Sequence, residues 1–139
     1  MRYLVDTNVI SEIAKGSRCN RHVTAWYQSV ELDDLCLSVL VVGELRGGIE
    51  QLRQRDPRRA IRLDRSLVLI ADMFADRIMR IDRRVAESWG RLNAERRVAV
   101  VDGLIAATAL VHALIVVTRN VRDFAGTGAQ ILNPFEPTS

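Results

Sequence analysis

The sequence has little of what holds secreted or membrane proteins together. Only two of its 139 residues are cysteines, and Cys19 and Cys36 lie in no C-x-x-C pair or histidine cluster that would bind zinc. No apolar run reaches the roughly 18 residues of a membrane span. Asp6 and Glu12 fall where a secretory signal has an uncharged core. We therefore expect a cytoplasmic protein with one globular domain over residues 1–139.

Lysine is almost absent as well. Of the 20 basic residues, Lys15 is the only lysine, and the formal net charge is +3. Arginine presents a rigid fork of donors that suits phosphate, so a nucleic-acid partner is a reasonable expectation. Codon bias in a GC-rich genome would also replace lysine by arginine throughout. The arginine excess therefore supports a nucleic-acid partner without establishing it.

The chain also lacks the motifs of several enzyme classes. Neither G-x-G-x-x-G nor a P-loop occurs, which argues against a nucleotide-binding module. His22 and His112 are the only histidines, and both fall in helical patterns away from any serine or cysteine nucleophile. Any catalytic chemistry is therefore expected to depend on acidic residues.

Short apolar runs alternate with segments of helical periodicity along the chain. Strands that are apolar throughout, rather than alternating, are typical of a parallel sheet covered by helices on both faces. The sequence therefore predicts an α/β fold. The predicted strands are residues 3–6, 35–38, 77–81, 114–117 and 130–132.

Four acidic residues occur where such a sheet would bind a ligand. Asp6 ends the first strand, and Asp123 follows the fourth by a short loop. Asp102 begins a helix after the apolar run 98–101, which is too short to assign. Because ligands bind beyond the carboxyl ends of parallel strands, we expect these three acids at one edge of the sheet. Glu44 lies in a helix that packs on that sheet, on a side that is otherwise apolar.

Each acid also has a purely structural explanation. Asp6 or Asp102 would cap the following helix, Asp123 would be a solvated loop residue, and Glu44 would pair with an arginine. Together, four carboxylates at close range would repel each other, and burial would make some of them take up protons. A divalent cation such as Mg²⁺ or Mn²⁺ removes this conflict, because it prefers oxygen ligands. Such an ion activates water and stabilises the leaving oxygen of a phosphodiester.

Small polar residues accompany two of these acids. Thr7 and Asn8 follow Asp6, and Thr118 and Asn120 precede Asp123 by a few positions. Hydroxyl and amide groups beside a metal site orient water and phosphate oxygens. The alternative is that these residues only cap helices and form turns.

Four segments together resemble the PIN-domain ribonucleases. They also resemble, within that family, the VapC toxins of bacterial toxin–antitoxin pairs and their FitB-like branch. Any one of these segments is a weak signal, but their order and intervals are specific, and the match spans essentially the whole chain. The final segment GTGAQILNPFEP is similar to the end typical of the FitB-like branch. The four segments are VDTNVIS, SVLVVGELRGGIE, VVDGLIAATAL and VTRNVRDF.

The resemblance implies a single PIN domain, a three-layer sandwich with a central parallel sheet of about five short strands. It implies that Asp6, Glu44, Asp102 and Asp123 are catalytic residues that hold Mg²⁺ or Mn²⁺ and activate water to cleave RNA, such as transfer or ribosomal RNA. It implies that Thr7, Asn8, Thr118 and Asn120 are supporting polar residues. It also implies a homodimer within larger toxin–antitoxin complexes, neutralised by a VapB-like antitoxin that covers the site and binds operator DNA.

Two positions depart from the pattern of this family. Gly103 stands where a small residue bulkier than glycine is more usual, which predicts a looser start of the helix. Some relatives carry a further acid near the four, and Asp82 is the nearest candidate. We interpret Asp82 instead as the cap of the helix that begins at Arg83. Arg46, Arg53 and Arg119 are candidates to contact RNA or the antitoxin.

Other functions fit the sequence less well. A phosphatase of the haloacid-dehalogenase type would need an aspartate where Asn8 stands. A signalling receiver domain would need a lysine after a late strand, where the sequence has Arg119. A PIN-like regulatory protein that binds nucleic acid without cutting it stays open as the alternative.

Overall fold

The computed structural model describes residues 1–137, which contain five short strands in one sheet. The strands lie in the order β3-β2-β1-β4-β5, and every neighbouring pair is parallel. The predicted α/β class with a parallel sheet is therefore confirmed. The last two residues of the predicted domain, 138 and 139, lie outside the described part. The strands are β1 (Tyr3–Val5), β2 (Leu35–Ser38), β3 (Ile78–Met79), β4 (Ile115–Val117) and β5 (Ile131–Leu132).

Seven α-helices connect the strands within the described part of the chain, and three 3-10 turns join them at 16–18, 32–34 and 75–77. α3 packs on α4, and α5 packs on α6. Two helices begin at the caps predicted from the sequence. Ser38 accepts from the Leu40 amide at 3.1 Å, and Asp82 accepts from the Val85 amide at 3.0 Å. The helices are α1 (Thr7–Ile13), α2 (Arg21–Ser29), α3 (Val39–Arg53), α4 (Pro57–Phe74), α5 (Arg83–Glu95), α6 (Val100–His112) and α7 (Val121–Phe124).

The strand order creates a crevice between β1 and β4. The chain first builds the β2 side of the sheet and then returns to the β4 side, so the direction of strand addition reverses at β1. Loops that leave two strands at such a reversal diverge, and ligands bind there. The Asp6 amide donates to the Val117 carbonyl at 2.9 Å, which ties the two strand ends together. The residues after β1 and after β4 therefore meet at this crevice.

The apolar strands form the floor of the crevice. Val5, Leu37, Val116 and Val117 are fully buried, and β2 is buried along its whole length. Burying one such side chain contributes roughly 1.5–3 kcal/mol to folding. Cys36 is one of these packing residues, and both cysteines are free. The crevice therefore has a rigid base.

One strand is shorter than predicted. The strand expected over 77–81 is paired only at Ile78–Met79, because a 3-10 turn occupies 75–77 and Arg77 is anchored to the Leu35 carbonyl at 2.9 Å. The run 98–101, which the sequence left unassigned, contains no strand, since α6 already begins at Val100. None of the helices within residues 1–137 combines the length and the apolar character that crossing a membrane requires.

Candidate active site

Asp6 is both a helix cap and the centre of a hydrogen-bond network. It stands between β1 and α1, and its Oδ1 accepts from the Thr7 amide at 2.8 Å, as an N-cap does. Its Oδ2 accepts from Thr118 Oγ1 at 2.8 Å and from Asn8 Nδ2 at 3.2 Å. Asp6 is only 6% exposed. The structural explanation, a helix cap, therefore holds for Asp6, and three neutral donors fix its carboxylate in place.

Thr118 and Asn8 connect Asp6 to the loop after β4. The fully buried Thr118 hydroxyl accepts from the Asn120 amide at 3.0 Å and from Asn8 Nδ2 at 3.3 Å. Asn8 Oδ1 accepts from the Arg119 amide at 3.0 Å. These bonds pin the backbone at Arg119 and Asn120 next to Asp6. The polar residues predicted to support the acids are therefore brought together with Asp6.

Glu44 reaches the same crevice from α3. Its Oε1 accepts from Thr7 Oγ1 at 2.6 Å, across 37 positions of sequence. The prediction that Glu44 lies on a buried side is wrong, because its side chain is exposed. The buried stripe of α3 runs through Val41, Ile49 and Leu52, and Glu44 lies beside it. An exposed position leaves the carboxylate open to a ligand.

Asp102 is not the cap of its helix. Ala99 is the N-cap of α6, with no side-chain bond, and Asp102 lies in the first turn, so it does not follow a strand as expected. Burial, followed in decreasing order by the negative charges of Asp123, Asp6 and Glu44, raises the pKa of Asp102 to about 6. The four predicted acids therefore share one electrostatic environment.

Asp123, like Glu44, is exposed. It lies in the short helix α7 and lines a cleft of about 420 Å³ with Arg119, Asn120 and Asn133. None of the four acids has a salt bridge within residues 1–137. The protein's own cations therefore do not neutralise the crevice.

The donors at the crevice suit a hard divalent ion. They are carboxylate, hydroxyl and amide oxygens, the ligands that Mg²⁺ and Mn²⁺ prefer. Across residues 1–137, no group of three or more acidic, histidine or cysteine side chains is arranged as a metal-binding set. Mg²⁺ commonly uses one or two carboxylates and keeps several waters, so such a set is not required. The residues present fit such an ion.

A groove leads from this crevice along α1, α3 and α4. Its cavity has a volume of about 670 Å³ and reaches Thr7 and Glu44. Aliphatic side chains form its floor, while sequence reasoning missed the arginines of its rim. The signal for two of them was the spacing of positions 59 and 62, which places them on one face of α4. The rim carries Arg18, Arg55, Arg59 and Arg62, and the floor includes Ile10, Leu45 and Ile49.

The arginines proposed from sequence have other partners. Arg53 bonds to Glu50 and to Asp64 at 2.7 Å, and Arg46 bonds to the same two acids, so the cluster ties α3 to α4. The two guanidinium groups hold the pKa of Glu50 down to about 2. Arg119 instead stacks its guanidinium 4.8 Å from the centre of the Phe135 ring, beside the crevice. Only Arg119 of these three therefore lies next to the acids without a carboxylate partner among the described residues.

Comparison with known proteins agrees with this geometry. Residues 3–129 match the family described as the PIN domain. The chain is 35% identical to toxin FitB of Neisseria gonorrhoeae, over 95% of this chain and 97% of FitB. It is 34% identical to VapC ribonuclease Y4jK of Sinorhizobium fredii, over 96% and 98% of the two chains.

The folds agree as well. The chain matches the solved structure of FitAB bound to an IR36 DNA fragment with a TM-score of 0.87 and 32% identity, over 99% of this chain and 98% of the other. The central parallel sheet flanked by helices is the one expected of a PIN-like fold. The chain therefore belongs to the PIN-domain family, in its group of VapC and FitB toxins.

Proposed function

We propose that this protein is a metal-dependent endoribonuclease and that Asp6, Glu44, Asp102 and Asp123 are its catalytic, ion-binding residues. The observation that carries the proposal is the shared environment of the four acids. Their charges act together on Asp102, and no basic side chain of residues 1–137 pairs with them. A cation between them would remove this repulsion. The ribonuclease name of the relative Y4jK supports a nuclease.

Each of these residues would have a separate role in binding the ion and the RNA. Asp6, fixed by the Thr7 amide, Thr118 and Asn8, presents an oriented carboxylate at the base of the crevice. Glu44 and Asp123 are both exposed; Glu44 would reach the ion from α3 and Asp123 from α7. Bound Mg²⁺ or Mn²⁺ would supply Lewis-acid activation of water and charge stabilisation on the phosphodiester. Arg119, whose backbone amide donates to Asn8 Oδ1, would contact an RNA phosphate.

Asp6→Asn tests this assignment. Asparagine is as good an N-cap as aspartate, so α1 keeps its start while the site loses one negative charge. We expect Asp6→Asn to fold and to lose Mg²⁺- or Mn²⁺-dependent RNA cleavage, and EDTA to stop cleavage by the unmodified protein. Asp82→Asn, the same change at the N-cap of α5, is the matched control and should cleave normally. Wild-type cleavage by Asp6→Asn, or cleavage that persists in EDTA, would contradict the proposal.

We also propose that the protein is the toxin of a toxin–antitoxin pair. FitB is named a toxin, and a FitAB structure contains DNA. A VapB-like antitoxin would place an acidic, amphipathic segment in the groove, against the aliphatic floor and the basic rim, and so cover Glu44. The antitoxin would bind operator DNA, and the toxin would act in the cytoplasm as a homodimer within the larger complex.

Charge reversal in the groove tests the antitoxin site. Arg62→Glu should lower co-purification with the product of the adjacent reading frame, because Arg62 lines the groove. Arg65→Glu, on the same helix but outside the lining, should not. Equal retention of the partner by both variants would exclude this groove as its site.

The substrate proposed is structured RNA, such as transfer or ribosomal RNA. Sequencing RNA ends after brief expression would identify the cut sites. The alternative, a regulatory protein that binds nucleic acid without cutting it, predicts RNA binding with no new ends under any metal. That result would replace the nuclease proposal by the alternative.

A further inference from the structure

Asp102 differs from Asp6 and Glu44 in how its carboxylate is held. Asp6 accepts three hydrogen bonds and Glu44 accepts one from Thr7. The Asp102 carboxylate is half-buried and makes no hydrogen bond among the described residues. Only burial and neighbouring charges shift its pKa. Its position is therefore set by the backbone of the first turn of α6.

That first turn has no side-chain cap. The Gly103 amide donates to the Ala99 carbonyl at 2.8 Å, but Ala99 offers no side-chain acceptor to the helix. The turn is therefore held by whatever packs on it. The buried residue Gly103, next to Asp102, marks the side on which that packing occurs.

Trp89 of α5 lies directly against Gly103. A Cβ atom at Gly103 would stand 3.0 Å from Trp89 Cδ1 and 3.1 Å from Nε1, closer than ordinary van der Waals contact. The glycine predicted to loosen the helix start instead gives room for a rigid indole ring. Only glycine allows this approach without moving the ring or the helix.

The indole of Trp89 packs against this turn without making a hydrogen bond. Trp89 Nε1 is buried and has no hydrogen-bond partner among the described residues. An unpaired buried donor is costly, so hydrogen bonding does not explain the position of the ring. What the ring supplies is a flat, inflexible surface under the turn that carries Asp102.

We propose that Trp89 and Gly103 are positioning residues that set where α6 presents Asp102 to the divalent ion. This inference rests on the proposed function, in which Asp102 is an ion ligand. Residues that orient metal ligands typically change metal affinity by about 10- to 100-fold when mutated. A methyl group at position 103 would displace the turn or the ring, and with it the carboxylate.

The test is a mutant cycle read by calorimetric Mn²⁺ titration of the purified protein without RNA. Gly103→Ala should weaken Mn²⁺ binding by about 10- to 100-fold, although alanine is the better helix former. In a Trp89→Met background the flexible thioether can yield to the methyl, so Gly103→Ala should then change affinity by no more than about twofold. The double variant also keeps the test valid if Gly103→Ala alone folds poorly.

Gly43→Ala is the matched control. Gly43 is also a helical glycine next to a proposed ligand, Glu44, but a Cβ there meets nothing within 4 Å. Its Mn²⁺ affinity should equal that of the unmodified protein. Unchanged affinity in Gly103→Ala, or an equal loss in both backgrounds, would overturn the positioning role alone. Absence of Mn²⁺ binding by the unmodified protein would overturn the proposed function and this inference with it.

Discussion

Replacing Thr118 by valine removes one hydroxyl from the middle of the acidic crevice and keeps the size of the side chain. That hydroxyl donates to Asp6 Oδ2 at 2.8 Å and accepts from the Asn120 amide at 3.0 Å. Thr118 is fully buried and Asp6 is only 6% exposed, so water replaces the lost hydrogen bond at Asp6 poorly. The change therefore tests whether the network around Asp6 stabilises the fold and the site together.

The expected loss can be worked out bond by bond. The lost hydrogen bond from Thr118 to the charged Asp6 is worth about 1.5–3 kcal/mol. The Asn120 amide also loses its acceptor, which costs about 1 kcal/mol more if water can partly replace that acceptor. Asn120 is exposed, so its amide has this partial replacement. We expect Thr118→Val to lower the free energy of unfolding by about 2.5–4 kcal/mol.

Thr108→Val provides the matched control. Thr108 is as fully buried as Thr118, but its hydroxyl donates at 2.8 Å to the Leu104 carbonyl of its own helix. Such back-bonding to the preceding turn adds little to helix stability. We expect Thr108→Val to cost less than about 1 kcal/mol.

Urea denaturation in EDTA and Mn²⁺ titration measure the two effects separately. Thr118→Val should also weaken Mn²⁺ binding by about 10- to 100-fold, because Asp6 loses its orienting donor. Thr108→Val should leave Mn²⁺ binding unchanged. A Thr118→Val protein as stable as Thr108→Val, with normal Mn²⁺ affinity, would refute the role given to this network.

Three further predictions concern pH and salt. Because the pKa of Asp102 is raised to about 6, Mn²⁺ affinity should rise with pH up to about 6 and level off above it, whereas a flat profile would exclude Asp102 as a ligand. The metal-free protein should lose stability from about pH 4 to 6, since native Asp102 holds its proton more tightly than the unfolded chain does. Arg119→Ala should reduce the salt dependence of RNA binding by about 0.7 in the log–log slope, the value of one phosphate contact on a single strand. Arg53→Ala should not, because Glu50 and Asp64 already neutralise Arg53, and equal slopes for both variants would contradict that distinction.

The sequence was most informative where one residue has one clear physical role. Apolar strands such as 35–38 and caps such as Ser38 and Asp82 follow from local chemistry, so they could be predicted. The meeting of Asp6 with Thr118 was predictable too, because the carboxyl ends of parallel strands share one edge.

Other features depend on contacts that local patterns do not contain. The exposure of Glu44 depends on how α3 rotates on the sheet, and apolar neighbours alone suggested the opposite. The pairing of Arg46 and Arg53 with Asp64 depends on the packing of α4 against α3. The role of Gly103 depends on Trp89, which lies 14 positions away on another helix.

The central claim is that carboxylates far apart in the chain are gathered around one divalent-cation site. Anomalous scattering from crystals grown with Mn²⁺ tests it most directly. We expect a manganese peak bounded by Asp6, Glu44, Asp102 and Asp123, and no such peak in crystals of Asp6→Asn. Carboxylates that point away from one another in saturating Mn²⁺, with no peak between them, would contradict the account.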